Sequence, residues 1–334
     1  MNDTKGTSLN TRDCSLVQGV SAKSCLNQRS AYGSALMELG RENKNVVVLD
    51  ADLGGSCMTK EFEVAYPHRY FEVGIAEANM TSIAAGLALT GKIPFTNSFA
   101  TFASNRAYDQ IRQSIAIGNV NVKIVGSSAG LSDFGDGATH QSVEDLAVMR
   151  ALPNLVVLNP ADPNEAYQAT LAAARYKGPV YLRINRSDYP SITPLGQDFV
   201  IGEPTVLKKG TDTAILATGY MVHLALEAAK LLEEQVSVQV VNIHTIKPLT
   251  TEKVLAAVSD CKSIITVEEH SVVGGLGSAV AEALRRHPKP MEFIGLEDTF
   301  GRSSHSYQEL LDYFNLTPKH IADTVLKMDH GLGS

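Results

Sequence analysis

The chain has 334 residues, of which 44% are hydrophobic, and this is enough for two domains with buried cores. Its formal net charge is −7 and it has no basic block, which argues against nucleic acid as a natural partner. No apolar run approaches the roughly 18 residues of a membrane-spanning helix, and residues 1–28 lack the apolar core of a secretory signal. The four cysteines have neither CxxC nor metal-ligand spacing, which indicates free thiols in a reducing compartment. We therefore expect a soluble, cytoplasmic protein that binds no metal itself.

The first predicted elements alternate between helices and apolar strands. Residues 1–28 show no periodicity and are predicted to be a mobile extension. Ser30 can cap a helix that runs to about Arg41, and the apolar run at 46–49 predicts a strand covered on both faces. The stretch 71–80 predicts a strand end, a tight glycine turn and the start of a long helix. That helix is apolar nearly all round, so it is predicted to be buried.

The same alternation continues along the rest of the chain. The predicted elements are the central helix ending at Gly91, a strand from Ile93, a helix over 104–117, a strand over 120–125, a polar loop over 126–141, a helix over 143–152, a strand over 155–158, a helix over 164–176 and a strand over 180–184. This pattern is typical of a doubly wound, mainly parallel α/β sheet, which binds ligands at the carboxyl ends of its strands. A second α/β unit begins near Val206, after a segment rich in proline and glycine. We predict two doubly wound α/β domains with mainly parallel sheets, over 29–190 and 205–334, joined by a linker over 191–204.

Glu77 is the first candidate for chemistry. It lies in the first turn of the predicted buried helix, where the helix dipole and free N–H groups tolerate a carboxylate. Buried carboxylates are rare without a partner. The residue is therefore either a helix cap or a proton-relay carboxylate at a subunit or ligand contact.

The pattern Gly74-x-x-Glu77 at the start of this helix resembles the transketolase family. The resemblance covers nearly all of residues 29–326 and matches the C-terminal part of a full transketolase, the pyrimidine-binding domain followed by the C-terminal domain. It implies that Glu77 hydrogen-bonds the aminopyrimidine of thiamine diphosphate. In this catalytic role the carboxyl group would bind the ring nitrogen N1′ and favour the imino form.

Two aromatic residues three positions apart form the second constellation. Phe99 and Phe102 lie at a predicted strand-to-helix corner, where they either pack in the core or offer a flat face to a heteroaromatic ring. The resemblance implies the second role, with Phe102 stacked on the aminopyrimidine and Phe99 beside it. Asn105 stands where many transketolases have a third aromatic residue, and the resemblance assigns it to the same ring edge.

The loop 135–141 contains a Gly-Asp-Gly sequence that could be mistaken for the diphosphate and Mg²⁺ motif of thiamine enzymes, with Asn164 downstream. The sequence around Asn164 instead indicates an ordinary helix start. The loop resembles the D-G-x-T-H-Q of transketolase pyrimidine domains. If it is more than a self-bonded polar loop, Asp136 recognises a substrate hydroxyl and His140, in a catalytic role, donates to substrate oxygens. A histidine of typical transketolases is replaced in the Ser-Ser-Ala run at 127–129, so the usual substrate preference does not follow.

Arg29 and Arg186 match family arginines that grip the substrate phosphate, a role that suits the guanidinium fork. Without the resemblance, each would be interpreted as a solvated surface charge. Asp50 stands where the family has a serine-like residue that contacts phosphate. Its carboxylate would repel a phosphate unless it is turned away, so the preference for a phosphorylated sugar is an open expectation.

The second unit offers fewer candidates for chemistry. Gly274–Gly277 precedes a predicted helix, but a lone glycine-rich turn is weak evidence for a nucleotide site. Together with Glu268, Glu269 and His270, it resembles the transketolase C-terminal domain. The resemblance implies an assembly and support module.

The expected protein is one subunit of a split transketolase. The chain shows no diphosphate- and metal-binding half, so an N-terminal transketolase subunit would bind the diphosphate and Mg²⁺ or Ca²⁺. We expect a two-plus-two heterotetramer that moves a two-carbon ketol unit from a ketose or ketose phosphate to an aldose. Alternatives are a subunit like deoxyxylulose-phosphate synthase or the 2-oxoacid dehydrogenase E1 β-subunit, and a non-catalytic regulatory subunit.

Overall fold

The strands follow the apolar runs of the sequence. The structure is a computed structural model that describes residues 27–332. Cys14, Cys25 and the predicted mobile extension up to residue 26 lie outside the described residues. Within that range the strands are β1 Val46–Asp50, β2 Tyr70–Glu72, β3 Ile93–Phe99, β4 Lys123–Ser127, β5 Val156–Leu158, β6 Val180–Arg183, β7 Thr205–Lys208, β8 Thr213–Ala217, β9 Val238–Asn242, β10 Thr245–Lys247, β11 Ser263–Ser271 and β12 Met291–Leu296. Strands β1, β4, β6, β8 and β9 are buried along their whole length, as expected for strands covered on both faces.

The helices fill the connections between these strands. In the same range the α-helices are α1 Gln28–Glu42, α2 Lys60–Ala65, α3 Glu77–Leu89, α4 Tyr108–Gln110, α5 Asp145–Arg150, α6 Pro163–Arg175, α7 Met221–Leu231, α8 Thr251–Val258, α9 Leu276–Ala283, α10 Tyr307–Tyr313 and α11 Pro318–Leu332. Two π-helical stretches, Phe102–Arg106 and Ile111–Ala116, flank α4, and short 3₁₀ turns occur at Pro67–Arg69 and Gly137–Thr139. None of the helices described here combines the length and the hydropathy needed to span a bilayer.

Two sheets organise the described chain. The first has the order β10-β5-β6-β4-β3-β1-β2 and is parallel except for β10, and the second has the order β12-β11-β8-β9-β7 and is parallel except for β7. The prediction of two α/β units with mainly parallel sheets is confirmed. The edge strand β10 comes from the second half of the chain and pairs with β5 of the first sheet. The second half of the chain is therefore joined to the first sheet by backbone hydrogen bonds as well as by side-chain packing.

Several predicted boundaries change in the structure. The cap of α1 is Asn27, whose side chain accepts from the Ser30 amide, so Ser30 lies inside the helix. In place of the predicted helix over 104–117, the π-helical stretch Phe102–Arg106, the short helix α4 and the π-helical stretch Ile111–Ala116 follow one another. Helix α3 has the predicted position, but only one of its faces is buried. The other face exposes the apolar side chains of Ile83 and Leu89, so burial all round is not achieved within one chain.

Helix α6 has the ordinary start that the sequence indicated. Asp162 caps it by accepting from the Glu165 amide at 2.8 Å, and Pro163 occupies the first turn. The same carboxylate accepts from the amides of Ile192 and Thr193 at 2.6 and 2.5 Å. Asp162 is fully buried, and it therefore fastens the segment that leads out of the first sheet to the start of α6.

Replacement of Asp162 by Ala should destabilise the chain by at least about 2 kcal/mol, because it removes a cap and leaves several buried donors without an acceptor. Urea denaturation monitored by circular dichroism measures the change. Thr250→Ala removes a helix cap whose bond to the Lys253 amide is long, at 3.4 Å, and serves as the control. Equal losses in the two variants would show that Asp162 acts only as a cap.

Candidate active site

Glu77 is buried and paired. Gly74 has a φ of +70°, which allows the tight turn between β2 and α3, and Glu77 begins the helix with 1% of its surface exposed. The Arg106 Nη1 atom donates to both carboxylate oxygens of Glu77, at 2.8 and 3.0 Å. The Arg106 guanidinium also lies 4.4 Å from the centre of the Phe102 ring. Sequence reasoning did not identify Arg106, although the rule that buried carboxylates need partners required such a residue.

The two predicted aromatic residues form a stacked pair. The ring centroids of Phe99 and Phe102 are 6.1 Å apart and their planes differ by 18°. His140 contacts both rings edge-on, with centroid distances of 6.2 Å to Phe99 and 5.3 Å to Phe102. The structure thus brings Glu77, the aromatic pair and His140 together, linked through Arg106.

Asn105 points toward another partner. Its amide nitrogen donates to Glu144 Oε1 at 2.7 Å, and Glu144 Oε2 accepts from the Val143 amide. Asn105 is exposed next to Arg106, at the end of the π-helical stretch that begins at Phe102. The hydrogen bond to Glu144 holds this stretch against the segment before α5, and a role for Asn105 at the cofactor ring stays a prediction.

The loop that carries Asp136 and His140 rests on the second half of the chain. Gln141 donates to the carbonyl oxygens of Asp133 and Arg302, at 3.2 and 3.0 Å, and the Ser304 amide donates to the carbonyl of residue 134 at 2.9 Å. Asp136 is exposed at the start of the 3₁₀ turn, and His140 Nδ1 lies 3.0 Å from Thr139 Oγ1. The loop is therefore held by hydrogen bonds to the second half of the chain and not only by bonds within itself.

Arg29 and Arg186 lie close to each other. Burial and, next, the charge of Arg186 lower the pKa of the Arg29 guanidinium. Arg186 Nη1 donates to Asp133 Oδ1 at 2.7 Å, and Arg29 Nη1 donates to the Ser56 carbonyl at 3.0 Å. Burial raises the pKa of Asp133, the charge of Arg186 opposes that rise, and the charge of Asp136 adds to it.

Within the described residues, the buried polar atoms around these arginines that have no hydrogen-bond partner include Arg29 Nε, Ser128 Oγ and Asp133 Oδ2. Ser128 also has a φ of +52°, an uncommon conformation for a residue with a side chain, and such strain is typical of functional sites. We call Arg29, Ser128, Asp133 and Arg186 the anion cluster. Two neighbouring guanidinium groups, of which Arg29 has an unsatisfied Nε donor, suit an anionic ligand.

Asp50 is turned into its own loop. Its carboxylate is fully buried and accepts from the Leu53 amide at 2.7 Å and from Thr59 Oγ1 at 2.9 Å. Burial raises the pKa of Asp50 to about 6, and the two hydrogen bonds oppose that rise. Asp50 therefore organises the loop that follows β1, and its oxygens are already occupied by that loop's donors.

Comparison with known proteins places the chain in a family. The model of the transketolase pyrimidine binding domain matches residues 25–191, and that of the transketolase C-terminal domain matches residues 202–321. A putative transketolase C-terminal section from Methanocaldococcus jannaschii is 44% identical over 90% of this chain and 95% of that protein. The 6-deoxy-6-sulfo-D-fructose transketolase subunit SqwH of a Clostridium species is 41% identical over 88% of this chain and 91% of that protein.

Further relatives agree in length or in fold. An apulose-4-phosphate transketolase subunit of Phocaeicola vulgatus is 34% identical over 90% of this chain and 96% of that protein. A solved structure described as a split gene transketolase, inactive β4 tetramer, has 43% identity and a TM-score of 0.82, and the match covers 91% of this chain and 98% of that one. The transketolase of Leishmania mexicana, at 24% identity and a TM-score of 0.78, shares the fold over 92% of this chain and 46% of that one.

Replacement of Arg106 by Met should destabilise the chain by about 1–3 kcal/mol, because it leaves the buried Glu77 carboxylate without its cation. The double variant Glu77→Gln with Arg106→Met should recover most of that loss, since no buried charge remains unpaired. Denaturant unfolding of the four proteins of this cycle measures the coupling. Arg112→Met, at an exposed position of the same helical segment, is the matched control. Additive effects in the cycle would show that the pair does not stabilise the fold.

Proposed function

The chain belongs to the transketolase family, and we propose that it is the pyrimidine-binding subunit of a split, thiamine-diphosphate-dependent transketolase. The proposed reaction is transfer of a two-carbon ketol unit from a ketose to an aldose. One observation carries the proposal. Arg106 joins the buried Glu77 carboxylate to Phe102, which belongs to a stacked pair of phenylalanines with an edge-on histidine. Together these groups offer a carboxyl group, aromatic rings and a donor to one heteroaromatic ligand.

The residues present fit the aminopyrimidine half of thiamine diphosphate. Phe102 would stack on the ring, Phe99 would flank it, Asn105 would lie at its edge, and Glu77 would bind a ring nitrogen. When bound, the cofactor supplies the nucleophilic carbon and the electron sink needed to break and form a carbon–carbon bond. Arg106 holds the Glu77 carboxylate by two hydrogen bonds, so its oxygens keep a defined direction.

We assign proton handling to Glu77 and His140. Glu77 would share a proton with the ring nitrogen N1′ and so favour the imino form of the pyrimidine. His140 lies against Phe102 and would donate to the carbonyl or hydroxyl oxygens of the sugar. Asp136, exposed four residues before His140, would recognise a sugar hydroxyl.

We assign the anionic end of the sugar to the anion cluster. Arg29 and Arg186 would grip that group, and the unpartnered Arg29 Nε and Ser128 Oγ add donors beside them. Two of the related subunits are named for a sulfo sugar and a sugar phosphate, which supports an anionic sugar here. Asp50 does not argue against this assignment, because its carboxylate is bonded within its own loop.

We propose a separate diphosphate-binding subunit as the partner, in a two-plus-two heterotetramer. Three apolar side chains around the start and the open face of α3 support an interface there, Ile75 with 73%, Ile83 with 37% and Leu89 with 78% of their surface exposed. The partner would hold the diphosphate and its Mg²⁺ or Ca²⁺. Relatives of matching length that are named as subunits or as a C-terminal section support this arrangement.

We divide the chain into a pyrimidine-binding domain at 29–190, a linker at 191–204 and a C-terminal domain at 205–334, and the ranges of the two family models support this division. We also assign the protein to the cytoplasm. The free, buried thiols of Cys57 and Cys261 suit a reducing compartment.

The chain with its diphosphate-binding partner should transfer ketol units, and the chain alone should be inactive. In the complex, Glu77→Gln should lower kcat by about 10²–10⁴-fold, because an amide cannot share the proton that favours the imino form. Steady-state kinetics measures the loss, and calorimetry with thiamine diphosphate and Mg²⁺ measures cofactor binding. The control is assembly, which should be unchanged in the Glu77→Gln variant. Tight cofactor binding by the chain alone would contradict the split-subunit proposal.

Replacement of Arg186 by Ala should lower kcat/KM for a ketose phosphate by about 10- to 150-fold, mostly through KM, because a hydrogen bond to a charged group is lost. Turnover of hydroxypyruvate with glycolaldehyde, which carry no phosphate, should stay nearly unchanged. Arg175→Ala, at an exposed position at the end of α6, is the control. An equal loss for both substrate types would make Arg186 a structural residue.

A further inference from the structure

A buried carboxylate of the C-terminal domain contacts two of the three segments that carry the anion cluster, the one with Ser128 and Asp133 and the one with Arg186; Arg29 lies on the third, at the start of α1. Glu269, on β11, accepts from the Leu131 amide through Oε1 at 2.6 Å and from Asn185 Nδ2 through Oε2 at 3.2 Å. Leu131 belongs to the loop after β4, between Ser128 and Asp133. Asn185 follows β6 and directly precedes Arg186. The Glu269 side chain therefore joins these two segments through its hydrogen bonds.

The space for this carboxylate is reserved by a glycine. Gly130 has a φ of +65°, and a Cβ atom at that position would lie 2.5 Å from the Glu269 carboxyl carbon. Glu269 is 3% exposed, and its backbone carbonyl accepts from Arg183 Nη2 at 3.0 Å. The side-chain nitrogen Asn185 Nδ2 also donates to the Tyr307 hydroxyl, at 3.2 Å. The Glu269 side chain and the Asn185 side chain that donates to it are therefore each fixed by further contacts with the surrounding fold.

The two segments are also bonded directly to each other, without Glu269. The Arg186 amide donates to Ser132 Oγ at 3.2 Å, and that hydroxyl donates to the Ala129 carbonyl at 2.6 Å. The Arg186 guanidinium reaches Asp133 of the same loop. The bonds of Glu269 therefore act together with these direct bonds in setting the position of Arg186 relative to Ser128 and Asp133.

We propose that Glu269 is a positioning residue for the anion cluster: by bonding Leu131 and Asn185 together, it sets the spacing between the Ser128–Asp133 loop and Arg186. The inference rests on the proposed function, because the anion is taken to be the charged end of the sugar substrate. It gives the C-terminal domain a part in substrate affinity in addition to the support role that the sequence implied.

The chain supplies a matched control in the preceding residue. Glu268 lies on the same strand, is also fully buried, and accepts from the amides of Leu276 and Gly277 at 2.6 and 2.8 Å. Both donors belong to the C-terminal domain, at the start of α9. Glu268→Gln therefore weakens two similar bonds without touching the segments of the anion cluster.

The first test is kinetic and uses the full chain in complex with its partner. Glu269→Gln should raise KM for a ketose phosphate by about tenfold, because an amide has one acceptor oxygen where the carboxylate has two, so either the Leu131 backbone N–H or Asn185 Nδ2 loses its acceptor. The KM for hydroxypyruvate and both kcat values should change less than about twofold, as should every constant of Glu268→Gln. Adding Asn185→Asp to Glu269→Gln reverses the polarity of the pair, and the double variant should recover KM to within about threefold of the wild-type chain.

The second test does not need activity. Hydrogen exchange of the full chain alone should be faster in peptides covering 126–133 and 183–190 for Glu269→Gln, and unchanged there for Glu268→Gln. If the wild-type complex transfers no ketol unit, the proposed function is wrong, and the exchange result still tests the positioning role. If Glu269→Gln fails to fold, Asn185→Ala serves in its place. Equal KM values and equal exchange in the two glutamate variants, or no rescue by the double variant, would overturn the proposal.

Discussion

The ion pair between Arg183 and Asp145 is the interaction on which the two halves of the structure depend. Arg183 Nε donates to Asp145 Oδ2 at 2.9 Å, and both side chains are almost completely buried. A buried guanidinium is costly unless its donors are used, and Arg183 also donates to the carbonyls of Ser142 and Glu269. Those bonds tie the end of β6 to the start of α5 and to β11 of the other sheet. Such a pair specifies one relative placement of these elements even where its net contribution to stability is small.

That placement explains where the candidate site is found. Parallel strands end on the same edge of a sheet, and the side chains discussed above lie at or just after such ends. Asp50 ends β1, Phe99 ends β3, Ser128 follows β4, and Arg186 follows β6. Glu77 lies at the start of α3, after the turn that follows β2. The aromatic pair and the anion cluster therefore lie at the same edge of the first sheet because its strands are parallel. The C-terminal domain contacts that edge through the Glu269 carboxylate and through the Arg302 carbonyl, which accepts from Gln141.

The open face of α3 is an exposed apolar surface on the helix that begins with Glu77. Its buried face packs on the core of the first sheet through Met80, Ala84 and Ala85, and its other face carries Ile83 and Leu89 into solvent. Apolar side chains on both faces of one helix are expected where a second molecule covers it. The Glu77 carboxylate lies at the start of this helix, so covering the helix and completing a cofactor site would be coupled in the proposed assembly.

The sequence by itself determined the fold class and most of the elements, because apolar runs, helix caps and glycine turns are local signals. It also determined the residue types at the candidate site, through motifs that resemble one family: Glu77, Phe99, Phe102, Asp136, His140, Arg29 and Arg186. Only the tertiary structure decided how these residues are paired. The Arg106 partner of Glu77, the turning of Asp50 into its loop, the Glu144 partner of Asn105 and the reach of Glu269 across the domain junction all join residues distant in the chain or depend on side-chain direction. A sequence pattern carries no record of such contacts, since they arise when buried charges and donors must find partners in the folded chain.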